Sequence, residues 1–123
     1  MRWRSTLLLA LVLAGCNSGP RLVKVSGTVT HGGEAVPFVT LYFEPDEGRA
    51  STAMTDAQGR FTLSYTAKEE GAVAGHHKVH VEFRRHVPEQ KDREAILAKY
   101  DLQHSSLQFT LDKDTPDLEV RLD

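Results

Sequence analysis

The densest chemistry in this 123-residue chain is His76-His77-Lys78-Val79-His80, three imidazoles within five positions. Imidazole nitrogens ligate copper and zinc, so His76, His77 and His80 form a candidate metal site. The spacing sets a condition on it. If the segment is a strand, side chains alternate between faces, so His77 lies with Val79 and Val81 while His76 and His80 share the other face. At about 3.3 Å per residue, His76 and His80 are then roughly 13 Å apart, too far to grip one ion unless the chain before Val79 is a loop. Asp112, Asp114 and Asp117 have the oxygen chemistry of a calcium site. They lack the glycine that sharpens a calcium loop and fall between two apolar runs, where a solvated hairpin turn is expected. Arg84-Arg85-His86 is the only dense basic run, and these three residues are the candidate binding site for a protein partner. No Gly-x-Ser-x-Gly elbow is present, and Ser26 and Ser64 fall inside apolar alternation as outward polar residues. Nothing in the spacing of the six histidines and the carboxylates singles out an acid–base pair. The expectation is a protein without catalytic residues and without a cofactor.

The single cysteine, Cys16, follows Leu13-Ala14-Gly15 at the end of an apolar run that starts at Leu7 and is preceded by Arg2 and Arg4. A positive start, a short apolar stretch and small residues before a cleavage point are the layout of an export signal. The run is about half of the roughly 20 apolar residues a membrane-spanning helix needs. Residues Leu13 to Cys16 resemble the lipobox of bacterial lipoproteins. That resemblance implies removal of residues 1–15, a diacylglycerol and usually a third acyl chain on Cys16, and attachment to a lipid bilayer. Two or more acyl chains anchor stably where one holds only marginally. Asn17 stands where an aspartate marks inner-membrane retention in the lipoproteins this chain resembles. The expected location is therefore the outer membrane, on its periplasmic or surface side.

Residues 16–21 read as the acylated cysteine and a tether, polar and turn-prone at Asn17-Ser18-Gly19-Pro20. The reach from Cys16 to Leu22 is at most about 20 Å, which holds the domain close to the membrane surface. Removal of residues 1–15 takes Arg2 and Arg4 from the 15 basic residues and leaves 13 against 17 acidic ones, a formal charge of −4. Such a balance does not suit nucleic acid or anionic headgroups, which need a basic stripe. With Cys16 acylated no disulfide is available, and a domain of residues 22–123 must be held by its core.

From Leu22 the apolar residues recur at every second position, the period of a strand with one buried face. Seven runs carry it: Val23-Val25-Val29, Val39-Leu41-Phe43, Ser51 to Thr55, Phe61-Leu63-Tyr65, Val79-Val81-Phe83, Leu107-Phe109-Leu111 and Leu118-Val120-Leu122. Gly27 marks a bulge or a close approach, and Asp56 with Gly59 marks a turn closed by a carboxylate. The long connection 84–106 contains a helical pattern over 90–100, with Ile96 and Tyr100 four apart on one face as a cover for the sheets. Two packed sheets bury these runs better than one. The fold class expected is all-β, a seven-stranded Ig-like or transthyretin-like β-sandwich with a short helix in the 84–106 connection. Tyr42 is the one aromatic residue expected on an outer face, since Trp3 falls in the signal.

The segments Val25-Ser26-Gly27-Thr28-Val29, Gly33-Glu34-Ala35-Val36-Pro37, Val39 through Phe43-Glu44-Pro45, Thr55-Asp56 with Gly59-Arg60-Phe61, and Gly71 and Gly75 before Val79-His80-Val81 resemble a carboxypeptidase regulatory-like domain, which is similar to transthyretin-type sandwiches. Tyr100-Asp101 and Ser105-Ser106-Leu107 resemble the end of small bacterial lipoproteins built from one such domain. The resemblance implies a surface location and a non-catalytic role, an accessory or protein-interaction module of the cell envelope. The transthyretin-like hydrolases of 5-hydroxyisourate carry an early Arg–His pair and a Tyr-Arg-Gly-Ser tail; Glu119-Val120-Arg121-Leu122-Asp123 stands here instead, and the first run has no such pair.

Overall fold

A computed structural model describes residues 19–86 and 88–123. The signal segment 1–15 and Cys16 lie outside the described residues. The strands are β1 (Leu22–Val23), β2 (Val25–His31), β3 (Glu34–Ala35), β4 (Val39–Pro45), β5 (Ser51–Met54), β6 (Arg60–Thr62), β7 (Ala72–Val73), β8 (Gly75–Phe83), β9 (Leu107–Leu111) and β10 (Thr115–Arg121), with one helix, α1 (Arg93–Tyr100), between β8 and β9. The described residues are thus mostly β with one short helix.

One sheet has β2 at its centre, flanked by β10 on one side and by β3 and β6 on the other. A second sheet runs β5-β4-β8-β9, and β1 pairs with β7 in a small ribbon. Alternation explains which face each strand buries. Val25 and Val29 of the first sheet, and Val39, Leu41, Phe43, Val79 and Val81 of the second, point into one shared core. The Phe43 and Phe61 rings meet across it with centroids 6.4 Å apart. Aromatic rings at such separations add to the burial that drives the packing.

Two expectations are corrected. The seven runs become ten strands among the described residues, because the first run breaks at Lys24 into β1 and β2, and two short pairs outside the apolar pattern add β3 and β7. In the run Phe61-Leu63-Tyr65 the strand ends at Thr62: Ser64 bridges Thr52 and Glu70, and Tyr65 turns back to bond the Glu69 carbonyl. Nor is Asp112-Lys113-Asp114 a hairpin turn. β9 closes the second sheet whereas β10 pairs parallel with β2 in the first, so these residues cross between sheets. Asp114 accepts the Lys24 N–H at 2.9 Å, and the Asp112 carbonyl accepts from Arg21. Asp112 and Asp114 tie down a crossing, Asp117 lies within β10, and among the described residues the three do not gather as a metal-ligand group.

Gly27 sits where β10 comes closest to β2. A Cβ there would fall on the Leu118 carbonyl oxygen, 2.7 Å from its carbon and 2.9 Å from its nitrogen. The crowding goes with a bulge in β10 between Thr115 and Leu118. Asp56 does close its turn, its Oδ1 accepting the N–H groups of Gln58 and Arg60 at 2.8 and 2.9 Å, with Gly59 at a φ of 75°. In α1, Ala95, Leu97, Ala98 and Lys99 favour helix, and Ile96 is buried in the core. The Tyr100 hydroxyl donates to the Asp123 main-chain oxygen at 2.7 Å, and the Arg93 guanidinium lies 5.6 Å from the Phe83 ring centre. The helix covers one end of the sandwich core, as its spacing implied.

Candidate functional site

The exposed face of the second sheet gathers most of the side chains able to do chemistry. Residues alternating with the core positions lie on it: Tyr42 and Glu44 on β4, and His76, Lys78, His80 and Glu82 on β8, while Thr40, on the same side of β4, is itself buried with its hydroxyl unpartnered. The register sets Tyr42 opposite His80, Glu44 opposite Lys78 and Thr40 opposite Glu82. The Tyr42 and His80 rings stack with centroids 4.7 Å apart and 6° between planes. Glu82 accepts the Tyr42 hydroxyl at 3.0 Å, and Glu44 Oε1 lies 4.0 Å from His80 Nδ1. Burial, then the hydrogen bond and the charge of Glu82, push the Tyr42 phenol up from its ordinary value, while the Arg84 charge draws it down. Tyr42 therefore stays a protonated donor through the neutral range.

At the other end of this face His76 lies between two oxygens, with Nδ1 2.9 Å from Asp46 Oδ1 and Nε2 2.6 Å from Gln108 Oε1. An imidazole satisfies two acceptors at once only with a proton on each nitrogen. These hydrogen bonds, from Asp46 first and Gln108 second, raise the His76 pKa above its ordinary value.

The candidate metal ligands are not brought together. His76 and His80 do share the outer face, but His77 lies on the inner one, fully buried, with its Nε2–H donating to the Val73 carbonyl at 2.6 Å and its ring 6.0 Å from that of Phe43. The cause is the alternation itself, since β8 runs as an unbroken strand from Gly75 to Phe83. Among the described residues no group of three or more His, Cys, Asp or Glu side chains is placed to hold a metal ion. His77 Nδ1 is buried without a partner, a core imidazole tolerated for the bond its other nitrogen makes.

Arg84, Arg85 and His86 are exposed where the chain leaves β8, Arg84 directly after the strand and Arg85 and His86 in the turn beyond it. The cluster is thus split between the strand end and the turn that follows. Sequence reasoning placed Tyr42, His76 and His80 on outer faces but missed the Tyr42–His80 stack and the roles of Asp46 and Gln108. Those depend on the register between strands distant in sequence, for which a single chain carries no local signal. Met54, 45% exposed at the far side of β4, completes the face.

As chemistry, this surface offers hydrogen-bond donors and acceptors of both charges around a stacked aromatic pair. Comparison with known protein families, with curated proteins and with solved structures finds no match to this chain.

Proposed function

We propose that this protein is a lipid-anchored, non-enzymatic interaction module of the cell envelope, held at a bilayer through acylated Cys16 and presenting its β-domain to a protein partner. The observation that carries the reading is Leu13-Ala14-Gly15-Cys16 at the end of a short apolar run, six residues before the first strand at Leu22. A tether of at most about 20 Å keeps the β-domain near the membrane surface. Among the described residues no helix is long and apolar enough to cross a membrane. The finer fold is a carboxypeptidase regulatory-like, transthyretin-like sandwich, supported by two sheets around one core and by the Asp56–Gly59 turn. The outer membrane is the proposed location, from Asn17.

The test is metabolic labelling of bacteria expressing the chain with an alkyne-tagged palmitate. The wild type takes up label and sediments with membranes, and Cys16→Ser loses both. An unlabelled, freely soluble wild type would overturn the anchor, and with it the reading.

A further inference from the structure

The second sheet ends in β9, and among the described residues nothing pairs with the outer side of that strand. Alternation tells which main-chain groups face it. Val39 bonds on the β5 side, giving its carbonyl to the Thr55 N–H and its N–H to Thr55 Oγ1, both at 2.9 Å. Thr40, Tyr42 and Glu44 therefore bond toward β8, to Glu82, His80 and Lys78. That leaves Val79, His77 and Gly75 to bond Leu107, Phe109 and Leu111. The Ser105 hydroxyl, donating to the Val79 carbonyl at 2.5 Å, shows that this carbonyl points toward β9. The N–H and C=O groups of Gln108 and Thr110 point off the open edge.

Edges of this kind are normally blunted by charge, proline or a bulge. β10, at the edge of the first sheet, has all three: Pro116, the charges of Asp117, Glu119 and Arg121, and the bulge before Leu118. β9 has none. Its sequence, Leu107-Gln108-Phe109-Thr110-Leu111, is uncharged, and Leu107 and Phe109 are only half-buried on its inner side.

We propose that β9 pairs antiparallel with β9 of a second copy about a two-fold axis at Phe109, joining the two β5-β4-β8-β9 sheets into one. A two-fold contact must be self-complementary, and this strand is symmetric in residue type about its centre. Leu107 falls opposite Leu111 of the second copy, Gln108 opposite Thr110, and Phe109 opposite itself. The free groups of Gln108 and Thr110 make about four hydrogen bonds, and the Phe109 pair takes the close, non-hydrogen-bonded position, about 4.5 Å between Cα atoms. Charge selects this edge. The same operation on β10 about Leu118 sets Asp117 opposite Glu119, like charges that repel. On β9 the nearest charges, Asp112 and Lys113, fall opposite the neutral hydroxyls of Ser106 and Ser105. The seam is about 17 Å long, which places the dimer at the small, weak end of protein interfaces. The proposal is independent of acylation at Cys16.

Sedimentation equilibrium of the full chain in density-matched detergent, over roughly micromolar to millimolar concentrations, tests it alongside amide hydrogen exchange at both extremes. A concentration-dependent monomer–dimer equilibrium is expected, with exchange at Gln108 and Thr110 slowed only in the concentrated sample. Thr110→Pro removes an edge N–H that β8 does not use and should weaken the dimer roughly tenfold or more. A monomer at every concentration overturns the proposal, as does a dimer whose new protection falls on β10. Protection of Gln108 and Thr110 in a monomer at every dilution also overturns it, since another part of the chain would then cover the edge. The exchange readout needs no variant, so a misfolded Thr110→Pro leaves the test intact.

Discussion

Gly27→Ala puts a methyl group where β10 comes closest to β2, and the neighbour it meets is the main chain of Leu118 rather than a flexible side chain. Contacts of a Cβ below 3.0 Å are essentially never seen, and this one meets the Leu118 carbon at 2.7 Å with the oxygen nearer still. Relief requires the strands to part by about 1 Å, which close packing elsewhere does not absorb. Such a shift stretches hydrogen bonds of roughly 2.9 Å past the distance at which they hold. Around Gly27 the parallel ladder pairs Leu118 with Gly27, Glu119 with Thr28, Val120 with Val29 and Arg121 with Thr30. Loss of three to four of its bonds at about 1 kcal/mol each costs roughly 3–4 kcal/mol. Domains of this size have a total of about 5–15 kcal/mol. Urea unfolding followed by far-ultraviolet circular dichroism should show that loss, and thermal unfolding a Tm lower by roughly 15–25 °C. Gly19→Ala, with nothing within 4 Å of its Cβ, is the control. A Gly27→Ala protein within about 0.5 kcal/mol of the parent, with β2 and β10 amides equally protected, would refute the close approach and the parallel pairing derived with it.

The three clustered histidines should separate by stability measurement. His77→Ala empties a core site and strands the Val73 carbonyl, costing about 2–4 kcal/mol in urea unfolding with or without metal, whereas His76→Ala and His80→Ala stay within about 1 kcal/mol. Equal, small effects at all three would contradict the burial of His77. His76 also sets a pH dependence. Its folded pKa is raised above the ordinary 6.5, so its bonds to Asp46 and Gln108 are fully present below that value and are lost as the pH rises through the folded pKa. Titration followed by imidazole NMR should find His76 deprotonating above the free-histidine range, with Asp46→Asn bringing it back down. A His76 titration at or below the ordinary value would rule out the two-acceptor geometry.

The separation of His77 from His76 and His80 was legible in the sequence, because it needs only the two-residue period of a strand. So were the helix face through Ile96 and Tyr100 and the Asp56 turn, which rest on conformations set within a few residues; Gly27 was legible as a glycine interrupting a strand pattern, though its neighbour, Leu118, was not. Illegible were the features set between distant residues. The run ending at Leu122 looks the same whether it folds back on Leu107–Leu111 as a hairpin or crosses to β2, and only the choice of sheet tells Asp112-Lys113-Asp114 turn from crossing. Tyr42 meets His80, and Asp46 meets His76, through a register that no local signal encodes. The surface chemistry was therefore visible as an inventory of residues on faces, without the pairs that organise it.

The crossing at Asp112–Asp114 also sets the order in which this molecule can become itself. β2, the central strand of its sheet, takes one of its neighbours from residues about 90 positions later, and the Ser26 hydroxyl donates to the Pro116 carbonyl over the same separation. Loop closure over such a distance comes late and slows folding. A chain that has emerged only as far as β9 holds a β2 with one side bare, and Val120 and Leu122, fully buried in the finished domain, are still missing from the core. Synthesis can assemble the second sheet piece by piece, but the first waits for the last strand.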